Sequence, residues 1–165
     1  LKCKPYKVKT NINVLKKIFL ENEKLKVGEV IINRDEEWFN WRIKECPFIN
    51  NYYFFSKGNS FIVVNLIKHD YKKRVNIIYT SCLDLDSEIY LSRQIVNWSI
   101  ENNLDIIWLN SDDLKRKKEI SKLFSYKRKI NFVCNSNEKF IKTRELTKIF
   151  NIHAVDTDSE ILYVR

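Results

Sequence analysis

The side chains most able to do chemistry in this chain are few and scattered. Four cysteines, Cys3, Cys46, Cys82 and Cys134, lie 43, 36 and 52 residues apart, and the two histidines are His69 and His153. A structural zinc site draws on close pairs of ligands, and this spacing offers none, so no metal is expected. The same spacing argues against disulfide stapling and for reduced thiols packed as small hydrophobes, as in a cytoplasmic protein. His69 falls in Lys68-His69-Asp70-Tyr71, which reads as a surface turn, and His153 precedes Ala154-Val155. Neither stands near a Gly-x-Ser-x-Gly run, so nucleophilic hydrolysis is set aside. Asp84, Asp86 and Glu88 surround Ser87 at the start of an apolar-periodic stretch, where carboxylates cap a helix and favour its positive end. Eight basic residues between Lys115 and Lys129, opposed only by Glu119, could meet an anion.

The elements that would position these groups follow from period and punctuation. The 165 residues suffice for one α/β domain with a sizeable core, and no apolar run is long enough to span a membrane. The chain opens on Leu and contains no Met, so it reads as a fragment of something longer. Asn11 to Glu23 predicts a helix with Val14, Ile18 and Phe19 inward and Leu15 broadening the stripe. Val27 to Ile32 is a short apolar run, and Asp35 to Lys44 is a second helix with acidic residues at its start and Pro47 beyond its end. Trp38 and Trp41, three apart, would share the buried face, with Arg42 as an ion-pair anchor.

From Tyr52 the period changes. Tyr52 to Ser56 and Ser60 to Ile67, joined through Lys57-Gly58-Asn59, predict a hairpin, and Val75 to Cys82 a third strand of an antiparallel meander. Ser87 to Asn102 predicts a helix with Leu91, Ile95 and Trp98 in line, flanked by Val96 and Ile100. Leu104 to Leu109 is apolar throughout, as in a strand covered on both faces. A charged helix over Asp112 to Phe124 and strands at Ile130 to Cys134 and Glu160 to Val164 complete the expectation.

Arg34-Asp35-Glu36-Glu37-Trp38-Phe39-Asn40-Trp41-Arg42, followed by Pro47 and Tyr52-Tyr53, resembles a signature of GNAT acyltransferases of the polysaccharide- and peptidoglycan-associated kind. In that signature Arg-Asp precedes an aromatic, a Leu or Phe, and Trp-Arg. Element order downstream is similar, and Asp156-Thr157-Asp158 resembles the turn before the family's last strand. The resemblance covers residues 34 to 165. It implies a mixed, mostly antiparallel central sheet flanked by helices, and acyl transfer from acetyl-CoA or another acyl-CoA to an amine, such as an amino sugar or a cell-envelope precursor. On it, the strand over Ile78, Thr80 and Cys82 would hold pantetheine, Ser87 would stand at the helix terminus that receives the pyrophosphate, and Asn110 would contact the cofactor. Tyr126 would stand in for the family's phenolic acid, because Leu123-Phe124 occupies its usual place, and Asp156 and Asp158 would serve as base.

The loop from Cys82 to Glu88 departs from the family's pattern, because it contains no glycine and carries three carboxylates. A second expectation therefore stands beside the first: a GNAT-like domain without CoA binding, acting as an interaction or substrate-docking half with a missing N-terminal GNAT-like partner. A nucleic-acid module using Lys115 to Lys129 is a third. No RNP-type or helix-turn-helix signature supports it, and the heavy use of Lys, Asn and Ile together is what AT-rich codons produce.

Overall fold

The computed structural model describes residues 4–25, 34–69 and 72–108. Between Tyr52 and Ser81 the β-branched and aromatic residues alternate sides, and this stretch forms the centre of a five-stranded sheet. The strands are β1 (Tyr6–Lys7), β2 (Tyr52–Lys57), β3 (Ser60–His69), β4 (Lys72–Ser81) and β5 (Asp105–Trp108), in spatial order β1-β2-β3-β4-β5. The first four are antiparallel neighbours, and β5 runs parallel to β4. A parallel neighbour requires a crossover, which α3 (Leu85–Glu101) supplies. The protein is therefore mixed α/β, with a mostly antiparallel sheet between helices. The expected short run at 27–32, the Asp112 helix and the two late strands lie outside the described residues.

The two faces of the sheet bury different helices. On one face Phe54, Phe61, Val63, Ile78 and Tyr79 pack with Leu15 and Phe19 of α1 (Ile12–Leu25) and Phe39 of α2 (Glu36–Phe39). On the other, Phe55, Ile62, Val64, Val75 and Ile77 pack with Leu91 and Ile95 of α3. Trp98 closes that side against the Tyr53 and Phe55 rings, at 5.8 and 5.7 Å between centroids.

Local chemistry fixes the boundaries. Gly58 takes φ +58° at the first central position of the two-residue β2–β3 turn, a conformation that L side chains rarely adopt. Asp35 caps α2 by accepting from the Trp38 N–H at 2.9 Å. At the other end of α3, Asn103 sits at φ +53°. Its N–H bonds to the Ile100 carbonyl, and the Leu104 N–H bonds to the Ser99 carbonyl at 2.9 Å. That pair of bonds is a Schellman stop with Asn in the place glycine usually takes.

Three expectations about helix faces need correction. In α1 the innermost residues are Leu15, Phe19 and Asn22, one turn or two apart, while Val14 is 55% exposed. In α3, Ile100 is 69% exposed because it lies opposite the Leu91–Ile95 line. Trp41 is 63% exposed, whereas Trp38 stacks on Phe19 at 5.6 Å. After α2 the chain widens into a π-helix over Asn40–Lys44, closed by Glu45 N–H to the Asn40 carbonyl. The wider turn rotates Trp41 away from Trp38's face. Arg42 lies over the Trp41 ring, 5.4 Å from its centroid, and it is Arg34 that holds the buried cationic position.

Candidate functional site

The feature that organises the site is a β-bulge in β4. Val63 pairs with Tyr79 and Val64 with Ile77, so Ile78 is the extra residue on β4. Without it, strict alternation would send Tyr79 to the α3 side together with Val75 and Ile77. With it, Ile78 and Tyr79 both face α1 and α2. A bulged residue also leaves the regular ladder, so the Ile78 peptide is offered to something other than β3. The described pairing of β4 with β5 runs from Arg74↔Asp105 to Ile77↔Trp108, up to the residue before the bulge.

Tyr79 reaches a buried polar cluster by this turn of the strand. Its hydroxyl donates to Glu23 Oε1 at the end of α1. The other carboxylate oxygen of Glu23 stands 3.9 Å from Arg34 Nη1, with the two side chains 9% and 1% exposed. The guanidinium lies over the rings of both Trp38 and Tyr79, at 5.9 and 5.8 Å from their centroids. Phe19 stacks on Trp38 and meets Tyr79 at a tilt, 5.5 Å between centroids. A phenol, a carboxylate and a cation thus meet inside an aromatic wall beside the bulge. Chemically this is a set that can accept, pass and return a proton.

At its C-terminal end β4 runs into α3. Asp84 is the N-cap, and its carboxylate accepts from the Ser87 N–H at 2.6 Å and from the Ser87 hydroxyl at 2.8 Å. These bonds hold the Asp84 carboxyl below the ordinary carboxylate value, the backbone bond contributing most, with Lys57 assisting through its charge. Lys57 rests on the Tyr90 ring, its Nζ 5.0 Å from the centroid, so one cation stands at this end of the sheet. α1 is tied to the same end: Asn22 Nδ2 donates to the Asn59 carbonyl at 2.7 Å and to Ser81 Oγ at 3.0 Å.

Ile78 and Thr80 lie in β4, Cys82 follows its end and Ser87 lies in the first turn of α3. Ile78 is a buried bulge residue; Thr80 is 7% exposed and pairs with Ile62. Cys82 is half-buried, its Sγ 3.9 Å from the Phe61 carbonyl oxygen. Ser87 corrects one detail: it is the third residue inside α3, and both its N–H and its hydroxyl serve Asp84. Asn110, Tyr126, Asp156 and Asp158 lie outside the described residues, as do Cys3, Cys134 and His153. Glu23 and Tyr79 were not anticipated. The signal available was weak: a lone Glu near a helix end, and a Tyr in a strand whose bulge the sequence does not announce.

Among the described residues no group of three or more His, Cys, Asp or Glu side chains is gathered to hold a metal, and no helix is long and apolar enough to cross a membrane. Cys46, buried, and Cys82 are thiols rather than half-cystines. Compared with family models, with curated proteins and with solved structures, the chain finds no match in any of the three, and its function rests on its own geometry.

Proposed function

We propose that the chain is a GNAT-like N-acyltransferase domain that moves an acetyl or other acyl group from acyl-CoA to an amine acceptor. The observation that carries this reading is the bulge at Ile78, set in the strand that leads through α3 into a parallel partner. A bulge there offers backbone groups to a thioester at the place where the chain resembles the family's pantetheine strand. Pyrophosphate would then meet the N-terminal turn of α3, where the charge of Lys57 already acts on Asp84.

Glu23 and Tyr79 supply the proton chemistry in this reading. The acceptor nitrogen attacks the thioester carbonyl carbon, a C–N bond forms and the C–S bond breaks. The proton shed by nitrogen passes to the Glu23 carboxylate, and the Tyr79 hydroxyl gives its proton to the departing thiolate. Their hydrogen bond returns Glu23's proton to Tyr79, so the pair ends as it began. Arg34, 3.9 Å from the other carboxylate oxygen, holds Glu23 in place beside Tyr79.

The test is release of CoA thiol from acetyl-CoA in the presence of amine acceptors. Glu23→Gln and Tyr79→Phe should each lower kcat by about 10²–10⁴ while leaving acetyl-CoA binding intact. Wild-type-like turnover in both variants would remove them from the mechanism. Absence of any acetyl-CoA binding would remove acyl transfer altogether.

A second reading has its own observation. The α3 terminus is already capped by Asp84, which occupies the Ser87 donors a pyrophosphate would use. That arrangement supports a GNAT-like docking half that has given up CoA. Asp84→Asn separates the two: it removes a negative charge while keeping a capping side chain, so it tightens acetyl-CoA binding if the cofactor lies here and changes nothing if it does not.

A further inference from the structure

Three exposed aromatic side chains, Tyr6, Trp41 and Phe48, belong to the segments that build the β1 edge of the sheet. They are 50%, 63% and 39% exposed. Tyr6 is on the edge strand itself, its ring against Phe54 at 5.3 Å. Phe48 stands in the turn that leads into β2, and two bonds tie that turn to the β1 segment. Lys9 Nζ donates to Asn50 Oδ1 at 3.1 Å, and the Val8 N–H donates to the Tyr52 carbonyl at 3.0 Å. Trp41 is in the π-helix, whose exit at Cys46 meets the Tyr52 hydroxyl, 3.1 Å from Sγ.

The same segments are basic. Between Lys4 and Asn11, and between Asn40 and Phe54, stand Lys4, Lys7, Lys9, Arg42 and Lys44, with Glu45 as the one acid. The four lysines are exposed and Arg42 is half-buried. Elsewhere along the described segments basic and acidic residues balance, so their net positive charge is concentrated at this edge. An exposed apolar residue by itself needs no account, but Trp41 is turned into water by the backbone. The π-turn that does so is a geometry found mostly at functional sites.

We propose that this edge is a docking surface for an anionic phospholipid bilayer, on which the protein lies without spanning it. Trp and Tyr rings settle at the headgroup level, an exposed Phe reaches the acyl boundary, and lysines meet the negative surface potential. Aromatic residues and lysines together are what interfacial binding requires, since apolar burial and charge each add to it. Single-stranded nucleic acid would use the same charges, but its bases stack on open ring faces. Here the Arg42 guanidinium lies over the Trp41 ring at 5.4 Å and Phe54 lies against Tyr6, so each ring already has a neighbour. A headgroup layer takes a ring edge-on and needs no open face. Docking of this kind is independent of the acyl-transfer reading.

The experiment is co-sedimentation of the full chain with vesicles of phosphatidylglycerol and phosphatidylcholine in equal parts, beside vesicles of phosphatidylcholine alone. We expect saturable binding to the anionic vesicles that weakens as salt rises, with a blue shift of tryptophan emission, and little binding to the neutral ones. Trp41→Ala should abolish the blue shift and weaken binding about 10-fold. Lys4→Gln combined with Lys7→Gln should weaken it about 25-fold, at about 5-fold for each charge. Both variants change exposed side chains and should melt with the wild type. No binding to anionic vesicles, equal binding to neutral ones, or undiminished binding by either variant would overturn the assignment. So would binding to oligo(dT) that is tighter than to the vesicles and lost in the same variants, which would give the edge to nucleic acid.

Discussion

Replacing Arg34 by Met tests whether the polar cluster beside the bulge is one interacting unit. At 3.9 Å, with an effective dielectric constant of about 20, the Arg34–Glu23 attraction is roughly 4 kcal/mol, comparable to the cost of desolvating the two ions. The intact pair is therefore close to neutral for stability. Arg34→Met leaves the Glu23 carboxylate 9% exposed without this cation, and the loss should fall near the lower end of the 3–5 kcal/mol range, at about 3. Glu23 keeps the Tyr79 hydroxyl, and Met refills much of the space against Trp38. For a chain of this length that loss corresponds to a Tm lower by about 6–12 °C. Glu23→Gln should cost a similar amount, because Arg34 is the more deeply buried partner. The double variant should recover most of it, returning to within about 1 kcal/mol of the wild type, since neither buried charge is then left facing a neutral group. Urea unfolding of the four proteins at pH 7 gives the cycle directly. Strictly additive single losses, or a loss below about 1 kcal/mol for Arg34→Met, would refute the reasoning.

Three further outcomes follow from backbone and cap geometry. Asn103→Ala should cost about 1 kcal/mol in urea unfolding because its φ of +53° penalises a Cβ without a compensating side chain, whereas Asn103→Gly should match the wild type. Gly58→Ala should lose about 1–2 kcal/mol from φ alone, because an added Cβ would meet no atom within 4 Å. The Asp84 carboxyl is lowered in the folded state, so its contribution is present in full above the ordinary value of 3.8 and is lost as pH falls through the folded value. The stability difference between wild type and Asp84→Asn should therefore be constant near neutrality and shrink in acid; a difference that grows as pH falls would contradict the cap assignment.

The sequence was informative where local chemistry decides. Gly58 between two alternating runs announced the hairpin, and Asp84 ahead of Leu91 and Ile95 announced α3, within two residues of its observed start. It was silent where a single residue changes the period. One extra residue in β4 moves Tyr79 across the sheet, and a π-turn after Phe39 moves Trp41 into solvent; both depend on tertiary packing rather than on composition. β1 was missed because two residues carry no period at all. Glu23, Arg34 and Tyr79 come from three separate segments, and only the fold brings them together. Arg34 shows the limit of the family resemblance as a guide. It opens the quoted segment, yet its neighbours Glu23 and Tyr79 lie outside that segment.

The most direct test of the acyl-transfer reading is a backbone amide titration of the ¹⁵N-labelled chain with acetyl-CoA. The account predicts saturable shifts concentrated at Ile78, Tyr79 and Thr80 on the bulged strand and at Leu85, Asp86 and Ser87 in the first turn of α3, with tighter binding in Asp84→Asn. No saturable shift at millimolar acetyl-CoA, or shifts gathered elsewhere in the chain, would contradict it.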